Sequence, residues 1–168
     1  MTLIEYKEIV KNTLSEYRYL HSLAVADLAL NLAKAHGINE DKAYLAGLLH
    51  DLTKEKIESF HDELFIKYQD LDKLQESVKV KHSHSCPYFL YETYKIQDRE
   101  LLEAIYNHTI CNSELSLSKI IYIADKREVR RNIKDGVVEI ALKDLDAGYK
   151  HCKEIDLKYL KSKGVIHE

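Results

Sequence analysis

Four residues with imidazole or carboxylate side chains, His21, His50, His108 and Asp125, stand where a helical pattern calls for apolar ones. His21 shares a face with Ala24, Val25, Leu28 and Leu32, because residues three, four, seven and eleven apart fall on one side of an α-helix. The same count aligns His50 with Ala43, Ala46 and Gly47, His108 with Leu101, Ala104 and Ile105, and Asp125 with Leu117 and Ile121. Taken singly, an inward histidine is most often a hydrogen-bonded core residue. A carboxylate inside "KIIYIADKRE" is harder to place, since a buried unpaired carboxylate is costly unless it meets a cation or donors. Imidazoles and carboxylates converging from several helices are what a transition-metal ion requires, and the ion would be the missing countercharge. In "LAGLLHDLTK" the adjacent His50 and Asp51 can reach in nearly opposite directions, and the two oxygens of Asp51 could bridge two ions. The pair therefore reads as a two-residue ligand unit.

The elements that must position these groups are helices. A first is expected near Thr2 to Leu14 with Ile9 and Val10 inward, and a second over Tyr17 to His36, stopped by Gly37. A third runs from an Asn39 cap to His50. The charged, weakly patterned segment from Lys54 to Lys81 predicts short helices and loops. Pro87 fits the first turn of a helix reaching Tyr94. Further helices are expected at Asp98 to Asn107 and Leu115 to Glu128, then a last pair at Gly136 to Cys152 and Asp156 to Ser162. His36, His61, His151 and His167 fall near helix ends or in polar context and are expected to face solvent.

Composition agrees with an all-α fold. One Pro and five Gly in 168 residues, with plentiful Leu, Ala, Lys, Glu and Ile, disfavour strand-and-turn architectures, and the length suits one domain. A net charge of −3 with interspersed signs offers no basic footprint for nucleic acid or an anionic membrane. No apolar run approaches the ~20 residues that span a bilayer, and "MTLIEYKEIVKN" lacks a signal-peptide pattern, so a cytoplasmic protein is expected. Cys86, Cys111 and Cys152 are odd in number and widely spaced, which argues against a disulfide framework or a thiolate zinc site.

With His21, then His50-Asp51, then Asp125 on successive helices, the chain resembles the HD-domain metal-dependent phosphohydrolases. It is most similar to their YqeK branch, which hydrolyses diadenosine tetraphosphate symmetrically to two ADP. The resemblance is carried by "RYLHSLAVADLALNLAKAHGI", "KAYLAGLLHDLTK", "LLEAIYNHT" and "LSKIIYIAD", and covers about Tyr17 to Tyr149. It implies a single HD domain over residues 1–168, a bundle of about seven to nine helices around a metal site. The implied metal ligands are His21, His50, Asp51, His108 and Asp125, with one more histidine from "KHSHSCPYFL". His82 keeps the family spacing without a gap and is preferred there, with His84 as the alternative. Six ligands suit a dinuclear centre bridged by Asp51. The resemblance implies iron, while such sites also accept manganese, cobalt or zinc. The chain departs from the family at "ICNSELS" after Thr109 and at "KREVRR" after Asp125, retaining Glu128 and Arg131 at matching positions. Both segments border the expected nucleotide pocket.

Hydrolysis of a phosphoanhydride needs an activated water, neutralised phosphoryl oxygens and help for the leaving phosphate. Asp51, Lys54 and His108 are the expected catalytic residues. Arg18, Lys54, Thr109 and Arg131 are the expected substrate contacts, a solvated face being the bland alternative for Arg18 and Arg131 and a helix-end cap for Thr109. The expected partner is a small nucleotide, not nucleic acid or membrane. The resemblance is compatible with a homodimer, for which no apolar stripe can be assigned. The 12 tyrosines include no assignable base-stacking residue. Two other functions fit the same residues: a nucleotidase or phosphodiesterase acting on another nucleotide, and a regulatory module that binds a nucleotide without turnover.

Overall fold

Capping chemistry sets most helix boundaries. In the computed structural model, which describes residues 1–165, α1 (Leu3–Thr13) starts at a capping box. Glu5 N donates to Thr2 Oγ1 at 3.3 Å, and Thr2 N donates to Glu5 Oε2 at 2.6 Å. Ser15, Asn39 and Asp98 cap α2 (Glu16–Ala35), α3 (Glu40–Leu49) and α6 (Arg99–Tyr106), each accepting from a backbone N–H three residues on. Gly37 ends α2 at φ +65°, and Ile38 N returns to the Ala33 carbonyl at 2.9 Å. The remaining helices are α4 (Glu58–Lys67), α5 (Val78–Tyr94), α7 (Ser116–Arg127), α8 (Val137–Lys143) and α9 (Leu145–Ser162). Single 3-10 turns cover Leu71–Gln75 and Val129–Arg131. The fold is all-α, with no strand among the described residues, and no described helix is long and apolar enough to cross a membrane.

Helices α2, α3 and α7 make the centre, burying Val25, Ala29 and Leu32, Leu48 and Leu49, and Ile120, Ile121 and Ile123 against one another. Each of these Val, Leu and Ile side chains contributes about 1.5–3 kcal/mol when removed from water. Helices α2 and α3 approach closely at Gly47, where an added Cβ would lie 2.8 Å from the Ala26 Cα. Because only a hydrogen fits there, the end of α3 with His50 lies directly against the His21 turn of α2. The three cysteines are buried and unpaired.

The structure departs from the expected boundaries in two places. Helix α5 starts at Val78, capped by Ser77, so Pro87 lies in its interior instead of its first turn. The earlier half of α5 escapes the apolar pattern because its buried residues are polar: Lys81, His82, Ser83, His84 and Ser85. Lys81 is itself buried, with ion pairs to Glu58 and Asp62 at 2.8 and 2.7 Å. Near the end of the chain the break falls at Asp144, not between Cys152 and Asp156. Asp144 closes α8 through its N–H on the Ile140 carbonyl and caps α9 by accepting from Ala147 N. Gly148 then lets α9 press onto Ala141 of α8.

Candidate metal centre

Five helix ends or interiors deliver polar groups to one point: His21 from α2, His50 and Asp51 from the end of α3, His82 from α5, His108 just past α6, and Asp125 from α7. All but Asp125 are buried, and the Asp125 side chain is 15% exposed. Asp51 lies at the middle. Its Oδ1 is 3.1 Å from His82 Nε2 and 3.5 Å from His108 Nε2, while its Oδ2 is 3.5 Å from His50 Nε2 and 3.8 Å from His21 Nε2. Asp125 Oδ1 is 3.1 Å from His21 Nε2 and 3.5 Å from His50 Nε2. Three trios have ligand atoms within 4.8 Å of one another: His21, His50 and Asp51; His50, His108 and Asp125; Asp51, His82 and His108. The structure brings all six expected ligand residues together and separates His82 from His84. His84 turns away, with Nδ1 2.6 Å from Glu76 Oε2 and its ring against Tyr106.

The outer nitrogens are oriented by fixed acceptors. His50 Nδ1 donates to the Gly47 carbonyl at 2.6 Å, His108 Nδ1 to the Ile105 carbonyl at 2.7 Å, and His21 Nδ1 to Glu128 Oε1 at 3.2 Å. A neutral imidazole that donates from Nδ1 carries a lone pair on Nε2. Those lone pairs face carboxylate oxygens, an arrangement of acceptor against acceptor that a proton or a metal ion between them makes favourable. His50 Nε2 shows this most clearly: fully buried, it has no hydrogen-bond partner among the described residues, although two carboxylates flank it. The residues present therefore fit a metal ion, by donor chemistry and by this orphaned nitrogen.

The electrostatics agree. Burial would raise the Asp51 carboxyl, but the charge of His50 and hydrogen bonds from His108 and His82 hold it well below the usual carboxylate range. Burial acts likewise on Asp125 and is outweighed by the hydrogen bond from His21 and by the flanking His50 and Lys126. Burial pulls His82 down to about 4 and also lowers His108, so both imidazoles are neutral at pH 7. For His50 the burial effect is overcome by Asp51 and Asp125, which raise its pKa.

Around the rim, Arg18 Nη1 lies 3.3 Å from Asp51 Oδ2, and Arg131 reaches both the Asp125 carbonyl, at 2.6 Å, and its Oδ1, at 3.4 Å. Lys54 Nζ is 3.3 Å from His82 Nδ1, with a pKa lowered by burial against the pull of Asp51. Thr109 meets the site through its carbonyl, which accepts from Lys126 Nζ at 3.3 Å. The same ammonium holds the His108 carbonyl at 3.0 Å and lies 3.9 Å from the centre of the Tyr122 ring.

Three residues support the site in roles that the sequence did not assign. Glu128, buried, holds His21 and also accepts from Arg130 N at 2.6 Å; its place in "KREVRR" was the available signal. Lys126 clamps the chain after His108. His61, expected in solvent, is buried with Nδ1 2.7 Å from Ser85 Oγ, and Ser85 and Thr53 bond each other and the His82 carbonyl. His36 and His151 are half-buried on the carbonyls of Ala141 and Asp135, away from the centre, and His167 lies outside the described residues.

An all-helical domain that gathers histidines and aspartates from successive helices around one buried point defines a class. The model of the HD domain matches residues 18–130, and the chain belongs to that family. It is 34% identical, over 79% of its length and 70% of the relative's, to a Staphylococcus aureus protein named symmetrical bis(5'-nucleosyl)-tetraphosphatase. It is also 34% identical, over 95% of its length, to a Mycoplasma pneumoniae protein named probable nicotinate-nucleotide adenylyltransferase/Ap4A hydrolase, of which it spans 47%. The chain thus covers about half of that longer relative. A crystal structure from Clostridium acetobutylicum, described as an HD superfamily hydrolase involved in NAD metabolism, covers all of this chain, and 92% of that chain is matched, with a TM-score of 0.86 at 28% identity.

Proposed function

We propose that the protein hydrolyses diadenosine tetraphosphate symmetrically: water adds to one of the two inner phosphorus atoms, the bond to the central bridging oxygen breaks, and two ADP result. The carrying observation is the acceptor-against-acceptor cluster around Asp51, with the orphaned His50 Nε2 at its heart. The choice of substrate is supported by the names of the relatives. His21, His50, Asp51, His82, His108 and Asp125 would hold the metal, with iron as the expected ion and manganese, cobalt or zinc as substitutes. When bound, the metal supplies Lewis acidity and an acidified water at neutral pH.

The chain's own groups do the rest. Arg18 and Arg131, with side chains 29% and 39% exposed, can leave their carboxylates to grip phosphate oxygens in the bidentate manner of guanidinium. Lys54, beside His82, places an ammonium where charge grows on the departing ADP. Glu128 and the Gly47 and Ile105 carbonyls keep the imidazoles turned inward.

Nucleotide chromatography after incubating iron- or manganese-loaded protein with diadenosine tetraphosphate tests this reading. ADP as the only nucleotide product is expected. ATP with AMP would discard the symmetry, and no product with metal bound would favour a nucleotide-binding module.

A further inference from the structure

Cleavage at the middle of a four-phosphate chain places two nucleosides at equal bond counts from the central bridging oxygen, whose bond breaks. They leave the metal centre in different directions, so a second nucleoside needs a site of its own. We propose that it is the groove between α2 and the Val129–Arg131 turn, which takes a purine nucleoside; this rests on the hydrolase reading above.

The groove has a volume of about 510 Å³, within the roughly 300–1,000 Å³ of small-molecule sites. Leu20, Leu23, Ala24 and Val138 make it largely apolar, as a base requires, while exposed Asp27 and Asn31 line one wall. An asparagine amide offers a donor and an acceptor together, the pattern that pairs with an adenine edge.

What joins the groove to the metal centre is a continuous strip of cations. Arg131 lies on Asp125 inside the centre, and its neighbour Arg130 lines the groove. Arg130 donates to the Tyr17 carbonyl at 3.2 Å and lies 5.2 Å from the Tyr17 ring centre. Next along the chain, Arg18 reaches Asp51. Phosphates leaving the centre over this strip meet guanidinium groups at each end, and the base arrives at an apolar wall. Tyr17, 66% exposed and beside the groove residue Arg130, is available to stack on the base or ribose. Glu128 couples the two halves, since one oxygen holds His21 and the other fixes the Arg130 backbone.

The test uses the full chain and three variants outside the centre: Ala24→Leu, which fills the groove, and Asn31→Ala and Tyr17→Ala, both at exposed positions. For diadenosine tetraphosphate, KM should rise about tenfold or more with kcat held within about twofold, the signature of lost binding remote from the chemistry. Inhibition by inorganic tripolyphosphate, which has no nucleoside, should be unchanged. An unaltered KM in all three variants overturns the proposal. Saturation-transfer NMR of adenosine on the metal-free chain reads the groove without turnover. Transfer to the adenine protons that Ala24→Leu and Asn31→Ala reduce supports the site, even if the wild type releases no ADP; transfer unchanged in both, or its absence in the wild type, overturns it.

Discussion

At the scale of single residues, the function of the site rests on one carboxylate and the supports around it. Asp51 uses its two oxygens on two pairs of imidazoles, so no other residue can replace it in both. Replacing Asp51 with Ala should abolish metal binding and turnover together, read by metal content after gel filtration and by product analysis. Undiminished activity in that variant would end the dinuclear model. Glu128 acts one step out, through the tautomer and aim of His21. Glu128→Ala should lower metal affinity about 10–100-fold, the usual cost of removing a carboxylate that orients a ligating histidine, as measured by calorimetric titration with manganese. An unchanged affinity would show that packing alone sets the His21 ring.

At the scale of elements, the close approach of α2 and α3 is what makes the centre compact. A methyl group at Gly47 would meet backbone of Ala26 and Val25, where nothing flexible can yield. Gly47→Ala should therefore cost about 1–3 kcal/mol, visible as a lower Tm, and should weaken metal binding because the Gly47 carbonyl holds His50. Helix α4 is tied to α5 by His61. Burial lowers the pKa of that imidazole below its usual 6.5, against the raising effect of its bond to the Lys56 backbone and of the Asp62 charge. The neutral ring is the stabilising form. Its contribution is full above about pH 6.5 and is lost as pH falls below that value, because the unfolded chain then takes up the proton more readily. In the metal-free protein, Tm should fall between pH 7.5 and pH 5.5, and His61→Gln should fall less over the same interval. An equal fall in both would mean that His61 does not titrate differently on folding.

At the scale of the whole molecule, folding and metal binding are one problem. Five segments of the chain meet at two carboxylates set beside imidazole nitrogens, so an ion that binds only the folded state stabilises all of them together. At a free metal concentration one hundred times its dissociation constant the gain is about 2.7 kcal/mol. Manganese should raise the Tm of the full chain and a chelator should lower it, with Asp51→Ala insensitive to both. A wild-type Tm indifferent to metal would leave the cluster as a purely structural network.

The helices and their order were legible in the chain because apolar spacing reports directly which face each helix buries, and caps such as Thr2, Ser15, Asn39 and Asp98 act over three residues. The order His21, His50-Asp51, His108 and Asp125 was legible for the same reason: each breaks an apolar stripe. Where buried side chains are polar, that signal vanishes, and so the first half of α5, the interior place of Pro87 and the burial of His61 were missed. The family spacing prefers His82 over His84, and the tertiary structure sets His82 against Asp51 and His84 against Glu76. One helix carries both, and which of them faces Asp51 depends on how α5 rotates against α3 and α6. The same holds for Glu128 on His21 and for the Arg130 and Tyr17 pair. Those contacts join residues more than one hundred positions apart, and periodicity, which acts over a few residues, carries no information about them.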